Sequence, residues 1–269
     1  MLLVIDAGNT NVVIGLYAGE ELRASWRLST PATWTSDEVG ILLGNLFQLR
    51  GLDLRAVTGV AIASVVPNLN AALQDCSLQH LGITPVVIGP GVKTGVRVLY
   101  ENPKEVGADR IANALAAYRK YGGPVIVIDL GTAVTYDAIS GDGSYLGGAI
   151  APGVGISLQA LVDHTARLFR VEMTAPDSVI GRTTVTSIQS GLIWGFVAQI
   201  EGMVARMTAE LGGSARVIAT GGQASAISGL TPVIEAVDED LTLEGLRLIH
   251  QMNSPLEARA GVLTKEGPE

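Results

Sequence analysis

Three aspartates, Asp6, Asp109 and Asp129, stand where a carboxylate could do chemistry. Asp6 closes the apolar run Leu2-Leu3-Val4-Ile5, and Ala7-Gly8-Asn9-Thr10-Asn11 follows before a second apolar run begins. Asp129 closes Val125-Ile126-Val127-Ile128 and leads into Leu130-Gly131-Thr132-Ala133-Val134-Thr135. In each turn a glycine lets backbone approach a ligand closely, and Asn or Thr side chains bring donors to the same place. Such turns suit phosphate. A carboxylate about 4 Å from a phosphate charge costs on the order of 4 kcal/mol at an effective dielectric of about 20. Asp6 and Asp129 can therefore face phosphates only through cations. Magnesium, held by one or two carboxylates, waters and phosphate oxygens, meets that need. Gly8, Asn9, Thr10, Gly131 and Thr132 then serve as neutral donors to phosphate oxygens. One such hairpin is most simply a turn capped by its carboxylate; the repetition argues for an internal duplication and for phosphate.

Phosphoryl transfer also needs a group that orients and deprotonates the acceptor hydroxyl. Asp109 is the candidate, in a Gly107-Ala108-Asp109-Arg110 turn whose small neighbours leave room for a substrate. The same residues also read as a helix-start carboxylate paired with Arg110. The planar fork of Arg110 suits a substrate carboxylate or phosphate. At Thr220-Gly221-Gly222 a strand passes through glycines into a helix, a geometry that suits a nucleoside and its phosphates. There is no Gly-x-x-x-x-Gly-Lys-[Ser/Thr] sequence, which excludes a P-loop kinase. Nor does a Gly-x-Gly-x-x-Gly follow a strand, which argues against a dinucleotide-binding Rossmann site.

A repeated order of elements must position these groups. The first hairpin is followed by a strand over 21–28 and a helix starting near Thr35-Ser36-Asp37-Glu38, with Ser36 as its cap, and running to about Leu49. A strand over 57–66, a helix from Pro67 to near Gly82, strands over 84–88 and 96–100, and a helix from Gly107 to Tyr121 complete the first half. The second half opens with the hairpin at Val125, turns at Gly141-Asp142-Gly143 and adds a strand over 144–150. Helices over 156–168 and 187–211 follow, then a strand over 216–219, a helix, a strand near Val233 and a last helix from Glu244. Residues 265–269 read as a frayed tail. The pattern divides into domains 1–121 and 122–269, joined near Tyr121 to Pro124 without a linker.

Composition narrows the class. With 269 residues, 48% apolar and only 4% aromatic, the core is expected to be Val, Ile, Leu and Ala. A formal net charge of −8 argues against a nucleic-acid or anionic membrane surface. Cys76 is the single cysteine, so no intrachain disulfide forms, and it reads as a half-buried structural thiol. His80, His164 and His250 lack metal-ligand spacing. The N-terminal apolar run meets Asp6 too early for a signal peptide, and no apolar stretch reaches membrane-spanning length. A cytoplasmic protein is expected.

The duplicated Asp-x-Gly hairpin resembles the phosphate-binding loops of the acetate and sugar kinase, heat-shock protein 70 and actin superfamily. The fold class implied is α/β: duplicated ribonuclease H-like (actin-like ATPase) domains, each a mixed sheet flanked by helices. Asn102-Pro103 followed by Gly107-Ala108-Asp109-Arg110, set between the two hairpins, is similar to type III pantothenate kinases. Ser64-Val65-Val66-Pro67, Gly147-Gly148-Ala149-Ile150 and Ser190-Gly191 extend the likeness almost end to end. The resemblance implies ATP-dependent phosphorylation of pantothenate to 4′-phosphopantothenate, with magnesium and potassium or ammonium, in a homodimer. It implies ATP binding by Asp6, Gly8, Asn9, Thr10, Asn11, Gly131, Thr132, Gly221 and Gly222, with Asp6 acting through magnesium. Asp129 corresponds to the monovalent-cation ligand and Asp109 to the catalytic base. Tyr100, Gly107, Ala108, Arg110 and Thr184 fall where the family binds pantothenate. Many members carry Asn-Thr where this chain has Thr183-Thr184. The competing readings are a non-catalytic regulator on the same fold and a kinase of another small alcohol. Intact Asp6, Asp109 and Asp129 argue against the first, and the 100–110 segment against the second, by resemblance.

Overall fold

The computed structural model describes residues 1–254. The chain divides into two units: Met1–Val96 with Glu101–Ala116 and the stretch from Asp240, and Arg97–Tyr100 with Ala117–Glu239. The first is built on β1 (Leu2–Ala7), β2 (Asn11–Ala18), β3 (Glu21–Ser29), β4 (Gly59–Ser64) and β5 (Val86–Val87), in the order β3-β2-β1-β4-β5. β1 pairs antiparallel with β2 and parallel with β4, so it is central, and consecutive β1 residues are buried. Leu3, Ile5, Val12 and Ile14 meet Val39, Leu43 and Phe47 of α1 (Ser36–Leu49) and Leu69, Leu73 and Cys76 of α2 (Pro67–Leu81). On the opposite face Val4, Ala61 and Ala63 meet Ala112 and Leu115 of α3 (Ala108–Tyr121) and Leu243, Leu246 and Ile249 of the last helix.

The second unit repeats the plan with β6 (Val125–Leu130), β7 (Ala133–Ile139), β8 (Tyr145–Pro152), β9 (Arg216–Thr220) and β10 (Ala236–Val237), in the order β10-β9-β6-β7-β8. Read from its other edge this is the order of the first sheet. β6 pairs antiparallel with β7 and parallel with β9, as β1 does with β2 and β4. α4 (Val154–Asp163), α5 (Thr184–Glu210) and α6 (Ala224–Ser228) cover one face, where Ile193, Phe196 and Ile200 pack on Ile126, Ile128 and Tyr136.

Several expectations shift. Thr35, not Ser36, caps α1: its hydroxyl accepts from the Glu38 N–H, and the Glu38 carboxylate accepts from the Thr35 N–H at 2.8 Å. Residues 96–100 form no strand but a single parallel bridge from Val98 to Tyr145. α4 stops at Asp163 rather than 168, and the strand sought near Val233 is β10. Cys76 is buried outright, and desolvation, with a smaller contribution from Asp37, pushes its thiol up to about 11. The last helix, α7 (Leu241–Asn253), does not belong with residues 122–239 but with the first unit. Its Gly245 lies against the Ala112 backbone so closely that a Cβ would overlap it, and Thr242 donates a hydrogen bond to Asn113 at 2.7 Å. The tail at 265–269 lies outside the described residues. Among the described residues no helix is long and apolar enough to cross a membrane.

Candidate active site

Both hairpins place their aspartates at the carboxyl ends of central strands, where open α/β sheets commonly hold ligands. In the first unit Asp6 is half-buried, beside Val13 of β2 and Ala63 of β4. The loop after it is held from within and from behind. Gly8 N–H donates to the Asn11 carbonyl at 2.9 Å, Thr30 N–H to the Thr10 carbonyl at 2.8 Å, and the Thr30 hydroxyl to the Gly8 carbonyl at 2.6 Å. These bonds occupy backbone acceptors, while Asn9 and Thr10 remain exposed and Asn11 is half-buried. Thr30 carried no motif in the sequence; its part follows from β3 ending beside the loop.

Asp109 is placed by a chain of local devices in the same unit. Asn102 caps a 3-10 turn over Pro103–Glu105, accepting from Lys104 N–H and donating to the Glu105 carboxylate at 2.7 Å. Buried Val106 anchors the chain, and the Gly107 carbonyl receives the Ile111 N–H at 3.2 Å as α3 begins. The Asp109 carboxylate then turns back over Gly107: a Cβ at that glycine would overlap Oδ1. The same oxygen accepts the Arg110 N–H at 2.9 Å. Asp109 stays half-buried, as does Ala108, whereas Arg110 is only 7% exposed. The helix-start carboxylate and the candidate base are thus the same geometry, a carboxylate held close to a backbone that has no side chain in its way.

In the second unit Asp129 lies opposite Thr135 on β7 and Thr220 on β9. Its loop is one residue tighter than the first, with Gly131 N–H donating to the Ala133 carbonyl at 3.1 Å. Gly221, far along the chain, closes on it. Its φ is +92°, and an added Cβ would overlap Asp129 Oδ1 and stand 2.8 Å from Leu130 N and C. At Gly131 a Cβ would stand 3.4 Å from the same Oδ1. Two glycines therefore wall the carboxylate in a cradle that a side chain at Gly221 would fill. Exposed Thr132 and Gly222 flank it, and the Thr132 carbonyl accepts the N–H of Gly153, the N-cap of α4, at 3.0 Å.

Tyr100 and Thr184 also fall in the second unit, apart from Gly107, Ala108, Asp109 and Arg110 in the first. Thr184 opens α5, earlier than expected, because Thr183 and Thr186 form a reciprocal cap. Exposed Thr184 borders a cavity of about 880 Å³ that Leu161, Leu168, Arg182, Ile188 and Leu192 also line. Among the described residues no three His, Cys, Asp or Glu side chains form a metal cage. Magnesium at Asp6 would therefore take its other ligands from phosphate oxygens and water, its usual habit.

Comparisons with known proteins bear on the family and the fold. The family model described as type III pantothenate kinase matches residues 2–206. A type III pantothenate kinase from Anaeromyxobacter sp. (strain Fw109-5) is 54% identical over 253 residues, 94% of this chain and 100% of the relative. A crystal structure from Campylobacter jejuni, described as a conserved Baf family transcriptional activator, superimposes with a TM-score of 0.60 at 21% identity, covering 93% of this chain and 98% of its own. The inorganic polyphosphate/ATP-glucomannokinase of Arthrobacter sp. strain KM gives a TM-score of 0.52 at 16% identity, covering 94% and 99%. At these identities the solved structures establish the fold alone, the duplicated actin-like α/β architecture. Sequence identity over nearly the whole chain settles the rest: the chain belongs to the type III pantothenate kinase family.

Proposed function

We propose that this chain transfers the γ-phosphoryl group of ATP to the primary hydroxyl of pantothenate, giving 4′-phosphopantothenate and ADP at the start of coenzyme A synthesis. Family membership supports the reaction. The observation that carries its mechanism is the half-buried Asp109 carboxylate, folded over Gly107 where α3 begins. Asp109 accepts the proton of the acceptor hydroxyl as that oxygen bonds to the γ-phosphorus. The bond from phosphorus to the β,γ-bridging oxygen breaks, and ADP leaves with its electron pair. Gly8, Asn9, Thr10 and Asn11 hold phosphate oxygens, Gly131 and Thr132 do so from the second hairpin, and the Gly221-Gly222 turn receives the nucleoside. Asp6 would hold magnesium, whose charge offsets the repulsion between carboxylate and phosphates. Asp129, in its glycine cradle, would hold potassium or ammonium. Arg110 holds the pantothenate carboxylate with its planar fork, and Tyr100, Gly107, Ala108 and Thr184 contact the rest of the acceptor.

Ile150, Phe169, Val179 and Ile180 of the second unit are 49–79% exposed, and a second copy of the chain is the partner proposed to cover such apolar side chains. A cytoplasmic location goes with these substrates. The reading is tested by ATP consumption with pantothenate against a panel of small alcohols. Asp109→Asn should lose most turnover while still binding magnesium-ATP; near-normal turnover removes Asp109 from the base role. Full activity with sodium as the sole monovalent cation would count against Asp129, and a monomer in sedimentation against the dimer.

A further inference from the structure

Asp137 and Tyr145 are wholly buried in the second unit, and the scheme above gives neither a part. A buried carboxylate requires strong hydrogen bonding. Asp137 Oδ1 accepts the Tyr145 hydroxyl at 2.8 Å, and Oδ2 accepts the Thr135 hydroxyl at 3.0 Å. The register of β6 and β7 sets Thr135 opposite Asp129 and Asp137 opposite Val127. Alternation along the strands then puts Asp129, Thr135 and Asp137 on one face of the sheet. It is the face turned away from the apolar cluster of Ile128, Leu130 and Tyr136. A satisfied buried carboxylate fixes a single arrangement of its donors.

Tyr145 passes that arrangement to residues 97–100. Its N–H donates to the Arg97 carbonyl at 2.9 Å, and its carbonyl accepts the Leu99 N–H at 2.8 Å. Its ring lies 6.4 Å from that of Tyr100, inclined by 50°. The β7–β8 register shifts beside it: Ile139 faces Tyr145 and Ala138 faces Gly147, so Leu146 is the extra residue of a bulge. Beyond the bulge Gly147, at φ +128°, lies under the Tyr100 ring, two of whose carbons would stand 3.5 Å from an added Cβ. Tyr100 thus follows a segment bonded to the Tyr145 backbone, and its ring lies beside that of Tyr145 and over a bare stretch of β8.

We propose that Asp137 is a positioning residue for the acceptor: through the Tyr145 hydroxyl it fixes the place of Tyr100. The inference rests on the reading of Tyr100 as an acceptor-binding residue. Steady-state kinetics with each substrate varied in turn test it on Tyr145→Phe, Tyr100→Ala and the double variant. Tyr145→Phe keeps the ring and its backbone bonds but loses the hydroxyl. It should raise KM for pantothenate on the order of 5-fold and leave KM for ATP unchanged. Tyr100→Ala should raise the pantothenate KM at least as much, and the double variant should be no worse, because the hydroxyl acts through that ring. An unchanged pantothenate KM in Tyr145→Phe, or a double variant in which both effects multiply, overturns the inference and leaves Tyr100 in its role. So does a fall in kcat with both KM values unchanged, the mark of a merely structural residue. A wild-type pantothenate KM in Tyr100→Ala overturns the role of Tyr100 and the inference with it. Should Tyr145→Phe fail to fold, Asp137→Leu, which keeps the branched shape but offers the Tyr145 hydroxyl no acceptor, is read in the same way.

Discussion

Replacing Gly107 by alanine should separate catalysis from stability. The backbone there is not in the left-handed region, so alanine can adopt it. The nearest atoms that its Cβ would meet all belong to flexible side chains: Asp109 Oδ1, which it would overlap, Asp109 Cγ at 3.5 Å and Arg110 Cδ at 3.9 Å. Rotation of Asp109 away from Gly107 relieves the overlap and gives up the 2.9 Å bond to Arg110 N–H. Water can replace that bond at a half-exposed carboxylate, for a loss of about 1 kcal/mol. Alanine in place of glycine at a helix N-cap costs up to about 1 kcal/mol more. The smaller freedom of the unfolded chain offsets roughly 0.4–1 kcal/mol. The net, about 1 kcal/mol, corresponds to a fall in Tm of about 2–4 °C for a chain of this size. Turnover should respond far more strongly. A well-placed base contributes about 100- to 10,000-fold, and a rotated one forfeits most of that, so kcat should fall at least about 100-fold. ADP release at saturating pantothenate and thermal melting of the same preparation measure both quantities. A kcat within about 3-fold of wild type would refute the reasoning, since general-base catalysis cannot tolerate a displaced carboxylate so lightly.

Gly221→Ala should behave in the opposite way. Its Cβ meets Leu130 backbone atoms at 2.8 Å at a φ of +92°, so it should lose about 2 kcal/mol or more of stability together with activity; a wild-type Tm would contradict this. The Tyr136 hydroxyl is buried without a hydrogen-bond partner, and desolvation pushes its pKa up to about 12. Tyr136→Phe should therefore stabilise the fold by about 1 kcal/mol in denaturant titration, and a clear loss would reveal a partner. The Lys120 ammonium is raised above its ordinary value, chiefly by its 2.6 Å hydrogen bond to Asp238. A raised lysine contributes its full stability below its unfolded value and loses it as pH climbs through the folded one. The Tm difference between wild type and Lys120→Met should hold at neutral pH and vanish only in strong alkali; a difference that disappears near neutrality would oppose it.

Much of this molecule was legible in short windows of sequence. An apolar run ending in Asp, a glycine turn and a returning run describe β1–β2 and β6–β7 because strand, turn and burial are all set within about fifteen residues. The duplication followed from seeing that pattern twice, and both sheets share one strand order. Gly107 to Arg110 was likewise visible, since a helix start and its carboxylate are local. What sequence misplaced depends on which side chains actually meet. Thr35 and Thr183 act as caps because particular side chains three residues on reach back to them, and other misplacements depend on partners far along the chain. The amphipathic pattern of α7 shows that it buries a face but not which sheet receives it. Gly245 against Ala112 and Leu243 over Gly15 decide that, across more than a hundred residues. Tyr100 looked like the end of a strand, and its ring instead lies over β8 beside that of Tyr145, whose own anchor is Asp137. By itself the sequence determined the two Asp-x-Gly hairpins and the helix start that carries Asp109, because turn chemistry acts over neighbours. Only the tertiary structure decided that Gly221 walls Asp129 and that a buried carboxylate stands behind Tyr100, because close packing joins residues that no local pattern connects.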